Sequence, residues 1–171
     1  MVDEFSSFAR MPQPVMQMED IGRVVRESMI LQRNAHPEIT YATSLADRGP
    51  AAKCDRRLLG QAMTNLLQNA ADAIAMRPGA GGRIEVGICE SGPEIVITVA
   101  DDGLGLPAQD RDRLTEPYVT HKPKGTGLGL AIVKKIMEDH GGRVGLAERV
   151  ADDGWPGSGA VASLVLPAGG G

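Results

Sequence analysis

The sequence predicts an α/β sandwich, with a mixed, mostly antiparallel sheet covered on one face by three helices. Two observations carry this prediction. Apolar residues recur at helical spacing in some segments and as β-rich runs in others. Only three of the 22 glycines precede residue 79, so helices should dominate the first half and tight connections the second. The 171 residues suit one domain with a short flank.

Residues 1–14 are predicted to be the end of a helix followed by a linker, because Pro12 and Pro14 cannot continue a helix. We place the main domain at residues 15–167 and a flexible tail at 168–171. Helical spacing over residues 18–34 predicts an amphipathic helix, and Ile39 and Tyr41 predict a short strand after it.

The strongest helical pattern runs from residue 56 to 76, with Asp55 as its N-cap. At about 100° per residue, Asn65, Asn69 and Asp72 share a face that lies beside the apolar stripe rather than opposite it. These polar side chains should therefore lie at the edge of the core.

The second half predicts strands, turns and one long helix. Residues 83–89 and 94–100 are β-rich and joined by Ser91-Gly92-Pro93, which is typical of a hairpin. A short helix at 109–114 should precede an aperiodic, mobile loop at 116–126. A helix over 128–140 should end at Gly141, and strands are expected at 144–150 and 160–166.

Composition disfavours several functions. The 18 Lys and Arg against 22 Asp and Glu give a net charge of −4, and aromatics make up only 3%. Direct nucleic-acid binding is therefore not expected. Cys54 and Cys89 have neither zinc-ligand spacing nor a disulfide framework, so a reducing cytoplasm is expected. The longest apolar stretch, 94–100, is far shorter than the roughly 20 residues that cross a bilayer.

The first candidate site is Asp101-Asp102-Gly103-Leu104-Gly105, directly after a predicted strand. A carboxylate at a strand end can accept a hydrogen bond from an exocyclic amine, and the glycines let a flat ring approach, so the motif suits an adenine pocket. An acidic turn is the alternative. Residues 103–108 also match a loose dinucleotide pattern, but the acidic residue expected about 20 residues later is missing.

The second candidate is Gly125-Thr126-Gly127-Leu128-Gly129, which leads into a helix and follows Lys122 and Lys124. Backbone N–H groups at a helix start favour phosphates, although a glycine-rich start can equally be a tight connection. The third is the face of Asn65, Asn69 and Asp72. An amide oxygen there could bind Mg²⁺ beside a triphosphate, and a solvated face is the alternative.

Four blocks in this order resemble the N, G1, F and G2 boxes of sensor histidine kinases, in the GHKL superfamily with its Bergerat ATP-binding fold. The blocks begin at Asn65, Asp101, Glu116 and Gly125, and the resemblance covers about residues 15–167. Residues 2–12 look like the end of the dimerisation helix in NtrY-type nitrogen-regulation sensor kinases.

The resemblance implies binding of ATP, with ADP as product, and of Mg²⁺. It implies that Asn69 binds the metal with Asn65 beside it, and that Asp101 binds the adenine amine. The remaining implied contacts shape the nucleotide pocket or bind phosphate, and Asn65, Asn69 and Lys122 are the catalytic candidates. The implied nucleotide-binding set is Asn65, Asn69, Asp72, Asp101, Gly103, Gly105, Tyr118, Lys122, Lys124, Gly125, Thr126, Gly127, Leu128 and Gly129.

Three features depart from the family or separate its branches. Tyr118 stands where the F box usually has Phe, which keeps the ring. Asn65 stands where the gyrase, Hsp90 and MutL ATPases have a water-activating Glu, so ATP hydrolysis should be poor. His36, His121 and His140 do not match the phosphoacceptor. We therefore expect the acceptor upstream of Met1, on the dimerisation domain of a homodimer.

The resemblance also implies a response-regulator receiver domain as partner, and a place in the cytoplasmic part of an inner-membrane-anchored sensor. Two alternative functions fit the same sequence. An anti-sigma-factor-type serine kinase would share the fold, and a nucleotide-sensing interaction module would bind ATP without transferring phosphate.

Overall fold

A computed structural model of the chain describes residues 13–45, 49–77, 79, 81–104, 129–151, 154–155, 157 and 159–168. The elements in chain order are β1 (Gln17–Asp20), α1 (Ile21–Ala35), β2 (Ile39–Ser44), β3 (Ala51–Cys54), α2 (Arg56–Met76), β4 (Gly82–Ser91), β5 (Glu94–Asp101), α3 (Gly129–Asp139), β6 (Arg143–Glu148) and β7 (Ala160–Pro167).

The main sheet has five strands in the order β2-β4-β5-β7-β6. β2 pairs with β4 in parallel, and every other pair in this sheet is antiparallel. Alternate residues of β5 are buried, among them Ile95, Ile97 and Val99, so one face of the strand packs on the core. The mixed sheet and three helices confirm the predicted fold class.

Helix α2 lies between α1 and α3 and also contacts β4 and β5. It begins at the predicted residue because the Asp55 side chain accepts a hydrogen bond from the N–H of Leu58 (3.1 Å). Its buried stripe forms the centre of the core and comprises Leu58, Leu59, Ala62, Met63, Leu66, Leu67, Ala70, Ala71 and Ile74.

The N-cap of α2 is tied to two distant segments. The other oxygen of Asp55 accepts the N–H of Val15 (2.9 Å), and the Asp55 N–H donates to Nε2 of His140 (2.9 Å). His140 is buried, and its Nδ1 lies 2.7 Å from the carbonyl oxygen of Ile136 at the end of α3. Burial raises the pKa of Asp55, but the N–H groups of Val15 and Leu58 outweigh this effect and lower it overall.

The structure corrects the N-terminal prediction. Residues 18–20 belong to β1, which pairs antiparallel with β3, and α1 begins only at Ile21. The side chain of Asp20 accepts a hydrogen bond from the N–H of Arg23 (3.3 Å), which caps α1 and ends the strand. The small sheet β1–β3 was not predicted.

Two glycine turns lie where the sequence predicted a hairpin turn and a helix end. Gly92 lies between β4 and β5 with φ of +59°, and Gly141 follows α3 with φ of +72°. The N–H of Ala168 donates to the carbonyl of Pro93 (2.7 Å). The predicted segments 1–12, 109–114, 116–126 and 169–171 lie outside the described residues. No helix in the described part of the chain is both long and apolar enough to cross a bilayer.

Candidate functional site

Three elements converge where the polar candidates lie: the end of β5, one face of α2 and the start of α3. The end of β5 approaches α2 closely at Gly103, where a Cβ would lie 2.5 Å from the carbonyl carbon of Ala73. The N–H of Leu104 donates to the Ala73 carbonyl (3.0 Å). A glycine is therefore required at position 103 by the helix, and this contact fixes the separation of strand and helix.

Asp101 is the last residue of β5 and is only 5% exposed. Its Oδ1 accepts hydrogen bonds from the N–H of Gly103 (2.9 Å) and, more weakly, of Ala160 (3.4 Å). Burial raises the pKa of Asp101 to about 6, although these N–H groups and the charge of Arg149 act to lower it. The described residues form no salt bridge to this buried carboxylate, and its ionised form therefore costs free energy, which makes Asp101 a candidate ligand-binding group.

The asparagines of α2 face the start of α3. The Nδ2 group of Asn65 donates to the carbonyl of Gly129 (3.3 Å). A Cβ at Gly129 would lie 3.9 Å from Oδ1 of Asn69. Both side chains are half-buried, as expected from their position beside the apolar stripe. The structure thus brings the N-box face next to the helix that follows the G2 glycines.

Asp72, one turn further along α2, takes part in a polar network. Its Oδ1 accepts a hydrogen bond from the amide of Gln68 (2.9 Å), and Oε1 of Gln68 lies 3.3 Å from Nε2 of His36. Asp72 therefore lies on the predicted face, and its carboxylate bonds to a neighbour on its own helix.

Asp102 is held on several sides. Its Oδ1 accepts from the N–H of Arg83 (2.9 Å) and the guanidinium of Arg77 (3.3 Å), and its Oδ2 from the indole N–H of Trp155 (3.3 Å). Burial raises the pKa of Asp102, but these hydrogen bonds and the charge of Arg77 lower it overall. Asp101 and Asp102 are adjacent, yet among the described residues the salt bridge from Arg77 reaches Asp102 and none reaches Asp101.

Sequence reasoning missed Arg149 and Trp155, which lie in the loop of residues 149–159 between β6 and β7. Arg149 is only 9% exposed, and its Nε donates to the backbone carbonyl of Asp101 (3.0 Å). The guanidinium carbon of Arg149 lies 4.1 Å from the centre of the Trp155 ring. A lone arginine in a glycine-rich loop gives no periodic signal, but the single tryptophan of the chain could have drawn attention to this loop.

Several predicted site residues lie outside the described part of the chain, so their positions are untested. They are Gly105, Tyr118, Lys122, Lys124, Gly125, Thr126, Gly127 and Leu128.

The two cysteines lie in different surroundings, Cys54 buried and Cys89 exposed. In the described residues Cys54 and Cys89 are free, and no group of three or more His, Cys, Asp or Glu side chains could hold a metal ion. Burial, with the nearby charges of Glu19 and Asp55, raises the pKa of Cys54 to about 11, so its thiol is unreactive at neutral pH.

Known proteins share both sequence and fold with this chain. Nitrogen regulation protein NtrY of Azorhizobium caulinodans is 49% identical over 98% of this chain, which spans only 21% of NtrY. The mycobacterial sensor histidine kinase MprB is 29% identical with a TM-score of 0.77, and covers 91% of this chain and 99% of the MprB chain.

Full-length ShkA, solved in complex with AMPPNP, is 26% identical with a TM-score of 0.77. That match covers 99% of this chain and 35% of ShkA. A profile of the histidine kinase-, DNA gyrase B- and HSP90-like ATPases matches residues 54–170, which include the end of β5, the asparagine face of α2 and the start of α3. The chain therefore belongs to this ATPase family, in the form found in sensor histidine kinases.

Proposed function

We propose that this chain is the ATP-binding catalytic domain of a two-component sensor histidine kinase, which transfers the γ-phosphate of ATP to a histidine on a dimerisation domain. The observation that carries the proposal is the buried Asp101 carboxylate at the end of β5, a strand end that packs on α2, the helix that carries the asparagine face. Family membership supports the use of ATP, since the family is one of ATPases.

Asp101 suits recognition of the adenine amine. In the part of the chain that the structure describes, the hydrogen bonds to this carboxylate from Gly103 and Ala160 both fall on Oδ1, so Oδ2 can accept an N–H from a ligand. Adenine presents an exocyclic amine that donates, whereas guanine has a carbonyl at the same ring position. A carboxylate would therefore favour adenine and repel guanine.

The N-box face suits a magnesium ion bound to phosphates. Mg²⁺ takes oxygen ligands and keeps several waters, so the single amide oxygen of Asn69, half-buried beside Gly129, fits as the protein's contribution. When bound, the ion would neutralise charge on the phosphates. Asn65 would orient this region through its bond to Gly129, and its amide cannot act as a general base for water.

The glycines before α3 and the nearby lysines complete the proposed site. Backbone N–H groups at the start of a helix favour anions, and Lys122 and Lys124 add positive charge. Gly105, Tyr118, Gly125, Thr126, Gly127 and Leu128 are proposed to surround the nucleotide, as the resemblance implies.

The partners and setting are part of the proposal. The intact kinase would be a homodimer whose dimerisation domain carries the acceptor histidine, and a response-regulator receiver domain would take the phosphate. The identity with NtrY supports a role in nitrogen regulation, and the family resemblance implies a place on the cytoplasmic side of a membrane-anchored sensor.

A transfer experiment tests this function. The chain is mixed with the dimerisation domain of NtrY and with ATP labelled on the γ-phosphate. We expect label on the added domain that is lost in acid and kept in base, as for phosphohistidine. Acid-stable label would indicate a serine kinase, and tight ADP binding without transfer would indicate a nucleotide-sensing module. The variant Asp101→Asn is tested in the same assay. Its matched control is Glu94→Gln, which lies at the other end of β5.

A further inference from the structure

One side chain, that of Arg149, contacts several described residues of the loop 149–159. Arg149 begins the loop, and its guanidinium donates to the carbonyls of Trp155 (2.7 Å) and Gly157 (2.9 Å) near the other end. The backbone N–H of Arg149 donates to the carbonyl of Gly159 (3.0 Å). One planar, multi-donor group thus closes the loop, which explains why this cation is buried.

The same guanidinium reaches out of the loop to β5. Its Nε donates to the carbonyl of Asp101 (3.0 Å), a residue 48 positions away in sequence. Gly159 packs directly against that carbonyl, where a Cβ would overlap the oxygen. The loop therefore holds the peptide group that follows Asp101 through two contacts, the hydrogen bond from Arg149 and the close packing of Gly159.

Trp155 holds the neighbouring carboxylate. Its indole N–H donates to Oδ2 of Asp102 (3.3 Å), and the guanidinium carbons of Arg149 and Arg83 lie 4.1 Å and 5.0 Å from the ring centre. These distances allow cation–π attraction, which orients the indole. The loop thus contacts both residues of the Asp101-Asp102 pair, one through its carbonyl and one through its carboxylate.

We infer that Arg149 and Trp155 are positioning residues that set the selectivity of this site for the 6-amino group of the purine, by fixing the backbone from which the Asp101 carboxylate projects. The inference rests on the proposed function, in which Asp101 accepts that amine. Neither Arg149 nor Trp155 is proposed to touch the nucleotide. They act by limiting the rotation of the Asp101 peptide, because a hydrogen bond to an amine requires a narrow range of angles.

The test compares ADP with the 5′-diphosphate of purine riboside, which lacks the 6-amino group. Wild-type protein should bind ADP more tightly than the analogue. In Arg149→Met we expect ADP affinity to fall about tenfold while affinity for the analogue changes little, so the preference is lost. Equal weakening of both ligands, or a preserved preference, would overturn the inference.

Arg143→Met is the matched control. Arg143 lies at the start of β6, the strand that precedes Arg149, and pairs with Glu94 at the far end of β5. The control should keep the wild-type preference for ADP. Loss of the preference in this variant as well would show a general effect of removing an arginine from this region, and would count against the inference.

Trp155→Phe covers the case in which Arg149→Met does not fold. Phenylalanine keeps a ring for the guanidinium groups and removes only the donor to Asp102. We expect the preference for ADP to fall about threefold, and an unchanged preference would contradict the inference. If wild-type protein itself does not distinguish ADP from the analogue, the proposed role of Asp101 fails, and that result is separate from failure of the positioning role.

Discussion

Strand β5 begins and ends with a carboxylate, and the two have opposite surroundings. Glu94 is partly exposed and accepts hydrogen bonds from Arg143 at 2.8 and 3.3 Å, and these bonds lower its pKa. Asp101 is buried, and burial raises its pKa to about 6. The carboxylate at one end of the strand forms an ion pair with Arg143, and the carboxylate at the other end is buried. No salt bridge reaches Asp101 within the described residues, and burial without a salt bridge distinguishes the end that we propose binds the ligand.

The largest expected effect is on nucleotide affinity at the buried end. Asp101→Asn keeps an acceptor for the N–H groups of Gly103 and Ala160 but presents an amide to the adenine amine. We expect ADP affinity to fall roughly 10- to 100-fold, the range for losing a hydrogen bond to a charged group. Titration calorimetry with ADP measures it.

Glu94→Gln is the control at the other end of β5 and should leave ADP affinity unchanged. Unchanged affinity in Asp101→Asn would refute the adenine assignment. Equal losses in both variants would mean that the two ends do not differ in function.

The second effect is on stability and has opposite signs at the two ends. The pKa of folded Asp101, about 6, is above its ordinary value of 3.8. Its ionised form therefore opposes folding, by an amount that is absent below pH 3.8 and reaches its full size above about pH 6. Asp101→Asn should raise the free energy of unfolding at neutral pH by about 2 kcal/mol, and the gain should shrink towards pH 4.

Urea unfolding at neutral pH and near pH 4 measures this difference. The pKa of Glu94 is lowered in the folded protein, so its ionised form favours folding. Glu94→Gln should therefore lower stability slightly at neutral pH, and this loss should disappear in acid. A loss of stability at neutral pH in Asp101→Asn would contradict the assigned sign.

The third effect extends the comparison to α2. Asn69→Ala removes the amide oxygen beside Gly129, and we expect the Mg²⁺-dependent part of ATP affinity to fall about tenfold. Affinity for ADP without Mg²⁺ should change little. Asn34→Ala, at an exposed position of α1, is the matched control. If wild-type protein binds ATP equally well with and without Mg²⁺, the metal role of Asn69 is wrong.

Local patterns predicted α2 and the hairpin well. The apolar stripe, the Asp55 cap and the Gly92 turn are each encoded within a few residues of where they act. The small sheet β1–β3 was missed because its pairing joins residues 17–20 to 51–54, and no short segment shows that contact. Residue 18 fitted a helical period, but the Asp20 cap determines where α1 begins.

The candidate site residues divide in the same way, between those marked by a local sequence block and those that depend on a distant contact. Asp101, Asn65 and Asn69 were predicted as site residues because each belongs to a recognisable block of sequence, and that prediction stays untested. Arg149 was missed because its contact with Asp101 joins residues 48 positions apart. Gly103 was found for a different reason from the one in the structure, since the close approach that requires it is made by Ala73 of α2.

The contact at Gly103 has a consequence for how precisely the site is built. It joins two main chains, because a Cβ at Gly103 would lie 2.5 Å from the carbonyl carbon of Ala73 and the N–H of Leu104 donates to the Ala73 carbonyl. Main-chain atoms do not exchange rotamers, so the separation of the end of β5 from α2 does not depend on side-chain rotamers. Any residue larger than glycine at position 103 would have to move the strand end away from the helix, and with it the backbone from which Asp101 projects.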